Sequence, residues 1–416
     1  MVEAAQAELL KRQREGNGVI PSDFIPPVRT DDRLLRYGYV QYRDLFNPRQ
    51  LLHLSVLLEE ISKLPKDEKE VAALALSNHL TTTCMLTSYA AGWRRLVPLF
   101  SLRAFRHVPR PVEVNPWLLG TGRGTYPNAL RQVRAAVDFS KSPREFTKGG
   151  FISVPAVEPL APPRVVCGSA EDLSHVPSSS VSLVLSDPPY LDNIAYSELS
   201  DFFAPWLRAT EVIGSDDPEA ARRTSLAAAN RKAEAAADFA TRLGKCFQEA
   251  ARVLTANGRV VFTYQHATPI GWLGLAQALS VTPLMPVQVF PLQGDGGLGL
   301  HAHEGNSIFD AILVLRRREL PVGTRDEHKA EVNVDSELTI SSVGETEALR
   351  RANRWVTKLN GDIPGVFRVP DAINLRRAFL VATSLEERFD RPEGRCRSLL
   401  ESLIDVAEPS SMKTCN

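Results

Sequence analysis

Apolar residues recur at helical spacing through the first part of the chain. From Asn47 to Leu64 the leucines and valines lie three or four residues apart, and Asn47 and Pro48 have the residue types of an N-cap and a first helical position. The same spacing predicts further helices over residues 66–95 and 128–137.

The spacing changes near Pro162, after which short apolar runs lack polar alternation, as in strands buried on both faces. Strands are expected over residues 164–167, Val181–Ser186, 259–264, 285–292 and 307–316. Helices are expected over residues 196–207, 225–254 and 272–279. Strands that alternate with helices and end in two successive strands predict an α/β domain, whose mostly parallel sheet closes with a terminal antiparallel hairpin.

These changes of pattern also predict the domain organisation. They give a polar, flexible arm over residues 1–30, a helical region over 31–150, an α/β domain over 151–318, and a charged linker with a small helical C-terminal region over 319–416.

The composition is that of an ordinary globular chain, with 44% hydrophobic and 24% charged residues among 416. Lys plus Arg and Asp plus Glu each number 49, so a polyanion would have to be held by local basic patches. The N-terminus lacks an apolar signal core and no run is long enough to span a bilayer, so we expect a cytoplasmic protein. The five cysteines are scattered, which suggests neither a disulfide framework nor a zinc site.

The sequence Asp187-Pro188-Pro189-Tyr190 follows the expected strand Val181–Ser186 directly. Ligands of open parallel sheets bind beyond the carboxyl ends of the strands, so this loop lies where a site is expected. Two prolines fix the backbone and remove two N–H donors, which leaves a stiff turn whose carbonyls only accept hydrogen bonds. The Asp187 carboxylate and the Pro188 carbonyl would accept both N–H groups of an exocyclic base amine, and Tyr190 would stack on the base.

The energies of such a site are compatible with holding an extruded base. Extrusion costs about a few kcal/mol, whereas stacking on one ring returns about 1–3 kcal/mol and each hydrogen bond to a charged acceptor about 1.5–3 kcal/mol. The same four residues would also make a stiff structural turn, and it is their place after a buried strand that favours the functional interpretation.

From about Tyr37 to Arg316 the chain resembles the adenine-specific DNA methylases of bacterial defence islands. The resemblance rests on three segments, DLFNPRQLL at residues 44–52, EVNP at 113–116 and SDPPYLDNIAYSELSDFFAPWL at 186–207. It implies a Rossmann-like methyltransferase fold over 151–318, with S-adenosylmethionine as methyl donor and the 6-amino group of adenine in DNA as acceptor. A role in restriction-modification or phage defence is part of that expectation.

The resemblance also assigns roles to residues. It places catalysis on Asp187, Pro188, Pro189 and Tyr190, and it makes Phe46, Asn47, Ser169 and Asp172 cofactor-binding candidates. Residues that follow the loop or end the next strand are candidates for binding the base, namely Asn193, Tyr196, Tyr264 and His266.

One expected feature of such enzymes, a Gly-rich cofactor loop after the first strand, is missing. The run at residues 120–124 follows no convincing strand and is interpreted as a surface loop. The sheet also lacks its first two strands. We therefore expect this chain to be one half of a split methyltransferase, with a second protein subunit that supplies the Gly-rich loop.

Several weaker features remain open. His301 to Glu304 lie among glycines and are interpreted as a flexible loop, so no metal site is expected. Basic candidates for DNA contact are Arg94, Arg95, Arg103, Arg106, Arg110, Arg222 and Arg223. The alternative functions are methylation of the cytosine 4-amino group or of a base in RNA, and a non-catalytic DNA-recognition or scaffold subunit.

Overall fold

The computed structural model describes residues 2–17, 19–27, 31–102, 104–120, 123–147, 149–156, 163–191, 196–214, 233–294, 307–318, 338–362, 368–388 and 395–406. Contacts divide the chain into two units. The helical unit comprises Met1–Val165 and Ala195–Ser225, and the sheet unit comprises Val166–Ile194 and Leu226–Asn416. The C-terminal residues thus belong to the same unit as the sheet, whereas the sequence analysis separated residues 319–416 from it.

The helical unit is built mainly from helices, joined by short hairpins. Its helices are α1 (Val2–Arg14), α2 (Arg33–Arg36), α3 (Pro48–Ser62), α4 (Lys66–Thr83), α5 (Tyr126–Lys141), α6 (Tyr196–Ser200) and α7 (Ala204–Ala209). Its strands are β1 (Ser88–Ala90), β2 (Arg95–Val97), β3 (Arg144–Thr147) and β4 (Gly150–Ser153). β1 pairs with β2 and β3 pairs with β4, both antiparallel.

Helix α3 begins as the sequence predicts. The Asn47 side chain accepts hydrogen bonds from the backbone N–H groups of Arg49 (2.9 Å) and Gln50 (3.0 Å), and the Gln50 side chain accepts one from Asn47 N–H (2.8 Å). This reciprocal cap satisfies donors that a helix start otherwise leaves open. The predicted cap and the predicted first helical residue are confirmed.

Helix α1 packs against α3, where the sequence analysis expected a flexible arm. Leu9 is buried, and the Arg12 side chain donates to Ser55 Oγ (3.3 Å) and forms an ion pair with Glu59. The helix therefore forms part of the helical unit.

The helix predicted over residues 66–95 is wrong beyond Thr83. Helix α4 ends there, Cys84 is extended, and the chain turns back at Arg94, which has a positive φ of 47°, to pair β1 with β2. Three consecutive threonines before this point reduce helix propensity, because branching at Cβ restricts the side chain against the preceding turn. The helix predicted over 128–137 is confirmed and extends further, as α5.

The sheet unit contains a four-stranded mixed sheet, which shows the α/β class. The strands of the whole unit are β5 (Val181–Ser186), β6 (Leu254–Tyr264), β7 (Leu284–Gln293), β8 (Phe309–Arg317), β9 (Thr339–Ser341) and β10 (Cys396–Ser398). Its helices are α8 (Ala233–Val253), α9 (Pro269–Ser280), α10 (Ser342–Asp362), α11 (Val369–Glu387) and α12 (Leu399–Asp405).

The order of strands in this sheet is β5, β6, β8, β7. β5 pairs with β6 in parallel, and β8 is antiparallel to both β6 and β7. Three of the four strands thus run in one direction, and the predicted terminal hairpin is confirmed as β7 with β8. β9 and β10 form a separate antiparallel pair.

One face of the sheet carries the core of the unit. Val184, Val260 and Leu315 lie side by side across β5, β6 and β8, and the last two are buried. Phe247 of α8 contacts Phe262 on the same face, with ring centroids 5.1 Å apart. On the opposite face, Leu185 of β5 lies beside Val261 and remains 74% exposed.

The strand predicted over residues 164–167 is not formed. These residues are outside any helix or strand, and Val165 and Val166 are 92% and 46% exposed. An apolar run becomes a buried strand only where a neighbouring strand accepts its backbone hydrogen bonds, and no described residue pairs with it. Among the described helices, none combines the length and the apolar character that a bilayer-crossing helix needs.

Candidate functional site

The loop Asp187–Tyr190 lies at the carboxyl end of β5, as the sequence predicts. The parallel register pairs Ser186 with Phe262, which brings the next residues, Asp187 and Thr263, side by side. Asp187 is exposed, whereas Pro188 and Tyr190 are buried. The carboxylate is therefore accessible to solvent, while the turn that carries it is anchored by the buried side chains of Pro188 and Tyr190.

One oxygen of the Asp187 carboxylate is held by two hydroxyl groups. Oδ1 accepts a hydrogen bond from Thr263 Oγ1 (2.7 Å) and another from the Tyr190 hydroxyl (3.1 Å). No described residue donates to Oδ2. The two hydroxyls fix the orientation of the carboxylate, and the second oxygen can accept a hydrogen bond from a ligand.

A row of aromatic rings lies beneath the loop. Tyr190, only 8% exposed, packs its ring edge-to-face against Tyr264 at 5.4 Å, and Tyr264 packs against Trp272 at 5.0 Å. Tyr264 is fully buried, and its hydroxyl donates to the carbonyl of Gly271 (2.8 Å). Tyr264 thus supports Tyr190 from below, and little of the Tyr190 ring is open for stacking on a base.

His266 joins the loop to the end of β6. In the tautomer that satisfies both bonds, Nε2–H donates to the carbonyl of Leu191 (3.1 Å) and Nδ1 accepts from the backbone N–H of Thr268 (3.1 Å). Both ring nitrogens are therefore engaged with backbone groups. This arrangement suits a positioning residue for the Asp187 loop better than a general base.

Three polar residues on one side of the buried helix α11 hold the loops at this edge of the sheet. Asp371, Asn374 and Arg377 are spaced three residues apart, so they lie along one stripe of the helix. Asn374 accepts from the backbone N–H of His266 (3.3 Å) and donates to the carbonyl of Phe309 (3.1 Å). Arg377 donates to the carbonyl of Ala267 (2.9 Å), and burial lowers the pKa of its guanidinium to about 10.

Sequence reasoning missed Thr263 and this stripe. The signal for Thr263 was its place at the end of β6, since a parallel register sets it beside Asp187. The signal for the stripe was the three-residue spacing of Asp371, Asn374 and Arg377 near the start of a helix with many apolar residues, because polar groups that are buried are normally hydrogen-bonded.

Ser169 and Asp172 lie in an exposed turn of the sheet unit. Asp172 Oδ1 accepts from the backbone N–H of Ser174 (2.9 Å), a bond that lowers the pKa of this carboxyl. Side chains of α8 fasten the segment: Glu171 pairs with Arg242 (2.8 Å), and Glu249 accepts from the backbone N–H of Leu173 (2.8 Å). No described contact joins Asp172 to the Asp187 loop.

The remaining candidates are divided between the helical unit and undescribed residues. Phe46 is buried in the core of the helical unit, where its ring contacts Trp206 at 4.9 Å. Asn47 caps α3 and donates through Nδ2 to Glu113 Oε2 (2.9 Å), and Tyr196 is exposed. The predictions for Asn193, Arg103, Arg222, Arg223 and residues 301–304 concern parts of the chain outside the described residues.

A cavity of about 390 Å³ opens beside Asn47 in the helical unit. Its lining includes Arg49 and Glu113, which form an ion pair at 2.6 Å, and the buried ring of His53. His53 Nε2 lies 2.8 Å from His79 Nε2, so one imidazole donates to the other. Burial lowers the pKa of His53 to about 4 and, together with the neighbouring His53, that of His79 to about 3.

The residues assigned to S-adenosylmethionine do not form a complete site in either unit taken by itself. Phe46 is buried in the core of the helical unit, and the Asn47 side chain caps α3. The Asp172 carboxylate accepts a hydrogen bond within its own turn. The glycine-rich run at 120–124 does not follow a strand in the described residues, since β2 ends at Val97. Within the described residues of each unit, the cofactor-binding candidates are therefore not brought together with the Asp187 loop.

No group of three or more His, Cys, Asp or Glu side chains that could hold a metal ion occurs within the described ranges. Comparison of the chain with protein-family models, with curated proteins and with solved structures finds no match.

Proposed function

We propose that this chain transfers a methyl group from S-adenosylmethionine to the 6-amino group of adenine in DNA, with Asp187–Tyr190 as its active-site loop. The observation that carries the proposal is the Asp187 carboxylate, exposed at the carboxyl end of β5 with Oδ1 bound by two hydroxyls and no described donor to Oδ2. The resemblance of residues 186–207 to adenine-specific DNA methylases supports it, as does the position of the loop at the end of a strand that pairs in parallel with β6.

The residues of the loop would act by accepting hydrogen bonds. Oδ2 of Asp187 accepts one N–H of the base amine and the Pro188 carbonyl accepts the other, which directs the nitrogen lone pair away from both acceptors. When bound, S-adenosylmethionine would supply an activated methyl group, and its sulfur would keep the electron pair of the broken S–C bond as the base nitrogen forms the N–C bond. The methylated amine then loses one proton to water.

Tyr190 would act chiefly through Asp187. Its hydroxyl holds Oδ1 and its ring is held by Tyr264, so the loop is already ordered before a base arrives. A loop that is ordered in advance stabilises the transition state more than a loop that orders on binding, because no reorganisation is required during the reaction.

DNA contact by the helical unit is a further part of the proposal. Its second cavity, about 390 Å³, is lined by Arg106 and Arg110 together with Tyr89, which is 51% exposed. Guanidinium groups bind phosphate oxygens and an exposed aromatic ring can stack on a base, so this surface suits a nucleic-acid strand.

The proposal is tested with Asp187→Ala and Thr263→Val in the protein purified with its native partners. Asp187→Ala should lower incorporation of labelled methyl groups into DNA by about 10²–10³-fold, since it removes an acceptor that acts on the reacting nitrogen. Thr263→Val keeps the shape but removes one hydroxyl from Oδ1, and it should lower incorporation roughly tenfold.

Glu401→Ala, a change at a carboxylate that is 65% exposed, is the matched control and should leave incorporation unchanged. Mass spectrometry of the modified nucleosides separates adenine in DNA from cytosine and from RNA. Methylation that persists unchanged in Asp187→Ala would remove this chain from catalysis and favour a scaffold subunit.

A further inference from the structure

The β1–β2 hairpin of the helical unit has a buried base and an exposed tip. Leu96 and Val97 of β2 are buried, whereas residues 91, 92, 94 and 95 at the other end are exposed. The tip consists of a single helical turn over Ala91–Trp93 followed by Arg94. The hairpin is therefore anchored in the helical unit and presents its turn to solvent.

The tip carries an arginine in a backbone conformation that normally selects glycine. Arg94 has a φ of 47° and a ψ of 41°, in the left-handed region, and its backbone N–H donates to the carbonyl of Ala91 (3.1 Å). A Cβ makes this conformation unfavourable, so glycine and asparagine are the usual residues there. Folding alone would favour one of those two, and an arginine at this position therefore indicates a function for its exposed side chain.

Two more arginines lie beside the base of the hairpin. The cavity next to Tyr89 is lined by Arg106 and Arg110, and Arg106 Nη2 donates to Ser88 Oγ of β1 (3.4 Å). No described carboxylate forms an ion pair with these two residues or with Arg94. Cations that lack acidic neighbours produce a positive potential at the surface, and this potential favours a polyanion as the partner.

The geometry points to the β1–β2 hairpin as the element that recognises DNA sequence: it enters the major groove of a duplex with Arg94 at a base edge, while Arg106 and Arg110 bind phosphates at the rim. The inference rests on the proposed function, which makes DNA the substrate. All three arginines are among the basic candidates of the sequence analysis, and the structure gives them different roles.

The dimensions of the hairpin suit this groove. Its two strands have three residues each, which makes them about 10 Å long at a separation of about 5 Å. The major groove of B-DNA is about 8.5 Å deep and admits a two-stranded ribbon, whereas the minor groove, about 6 Å wide, is too narrow. A residue at the tip then reaches the bases while residues at the start of β1 remain beside the phosphates.

An arginine in that place distinguishes one base from the other three. Its guanidinium donates two parallel hydrogen bonds to O6 and N7 of guanine, and no other base offers two acceptors in the major groove. Phosphate contacts add affinity at every sequence and carry no such discrimination. The recognised sequence should therefore contain a guanine whose selection depends on Arg94 and not on Arg106 or Arg110.

The test uses the full-length chain purified with its native partners and a library of DNA duplexes randomised around one adenine. Wild type, Arg94→Gly, Arg106→Ala and Arg134→Ala are compared by sequencing the bound and the methylated DNA. Arg134→Ala is the control, because it removes the same charge from α5 at a side chain that is 83% exposed. Wild type and this control should prefer guanine at one position by roughly 5- to 150-fold, the range for one bidentate contact.

The two hairpin variants should fail in different ways. Arg94→Gly should abolish the guanine preference while its urea midpoint of unfolding stays at or above that of wild type, because glycine adopts the left-handed conformation without strain. Arg106→Ala should keep the preference, weaken binding to every sequence, and reduce the slope of log affinity against log salt concentration by about one.

Three results would overturn the inference: a wild type without a guanine preference, an Arg94→Gly variant that retains it, or binding to duplex RNA as tight as to duplex DNA. The last result counts because the major groove of A-form RNA is too narrow for a hairpin.

Failure of the proposed function looks different. Guanine-selective DNA binding that is lost in Arg94→Gly, together with no methyl incorporation by wild type, would support the role of the hairpin and refute the proposed reaction. Methylation with the same sequence preference in Arg94→Gly as in wild type would refute the role of the hairpin alone.

Discussion

Replacing Asp371 tests whether the C-terminal helix holds the edge of the sheet. The Asp371 carboxylate is 1% exposed at the start of α11. Oδ1 accepts from Ser307 Oγ (2.8 Å) and from the backbone N–H groups of Ile308 (2.6 Å) and Phe309 (3.0 Å). Oδ2 accepts from the backbone N–H of Arg368 (2.8 Å). One side chain thus satisfies donors from two separate segments.

The expected loss of stability follows from these bonds. Asp371→Ala leaves two buried N–H groups, those of Ile308 and Phe309, without an acceptor, at about 1–3 kcal/mol each. It also removes a negative charge from a helix N-terminus, worth about 0.3–1 kcal/mol. Asp371→Ala should therefore lower the free energy of unfolding of the sheet unit by about 4 kcal/mol. Asp371→Asn keeps one carbonyl oxygen and should lower it by about half as much.

Urea unfolding followed by tryptophan fluorescence and by circular dichroism measures these changes. Asp405→Ala is the control, because Asp405 is 57% exposed and its ion pair with Arg397 should contribute less than about 1 kcal/mol. A change below about 1 kcal/mol in Asp371→Ala would show that α11 does not hold this edge, and the positioning roles given to Asn374 and Arg377 would fall with it.

Two further predictions concern the loop and the helical unit. In Gly271→Ala the new Cβ would lie 2.1 Å from the His266 ring, so this ring must move and lose its hydrogen bond to the Leu191 carbonyl. Methyl incorporation should then fall at least tenfold. An unchanged rate would exclude a positioning role for His266. The pKa of a histidine in the unfolded chain is about 6.5, whereas burial lowers the pKa of folded His53 to about 4. Between these two pH values the unfolded chain binds the extra proton, so the free energy of unfolding of the helical unit should fall by about 3 kcal/mol as the pH is lowered through this window. His53→Gln should flatten that dependence, and a wild-type unfolding midpoint that is constant from pH 7 to 4 would contradict the burial of the His53–His79 pair.

The elements that the sequence predicted correctly are those whose formation depends on residues close together in the chain. Asn47 and Pro48 begin α3 because capping depends on neighbouring residues alone. The Asp187 loop follows β5, and β7 with β8 form the closing hairpin, because short apolar runs and turn residues mark strands wherever a neighbouring strand is present.

The failures share a different cause. Residues 164–167 have the composition of a buried strand, but Val165 is almost fully exposed because no described strand lies beside it. The partners of Asp371 Oδ1, which are Ser307, Ile308 and Phe309, lie more than sixty residues away in the sequence, so their bonds could not be inferred from spacing. Pairing and burial depend on the rest of the fold, which periodicity does not contain.

Among the described residues, the hydrogen bonds that hold the Asp187 loop come from the β6 side of β5. Thr263 holds its carboxylate and His266 holds its far end at Leu191, and both residues belong to β6 or the turn that follows it. On the other side of β5, no described strand pairs with it. A group that reacts with an amine bound at Oδ2 must approach from a direction that the β6 side chains do not occupy.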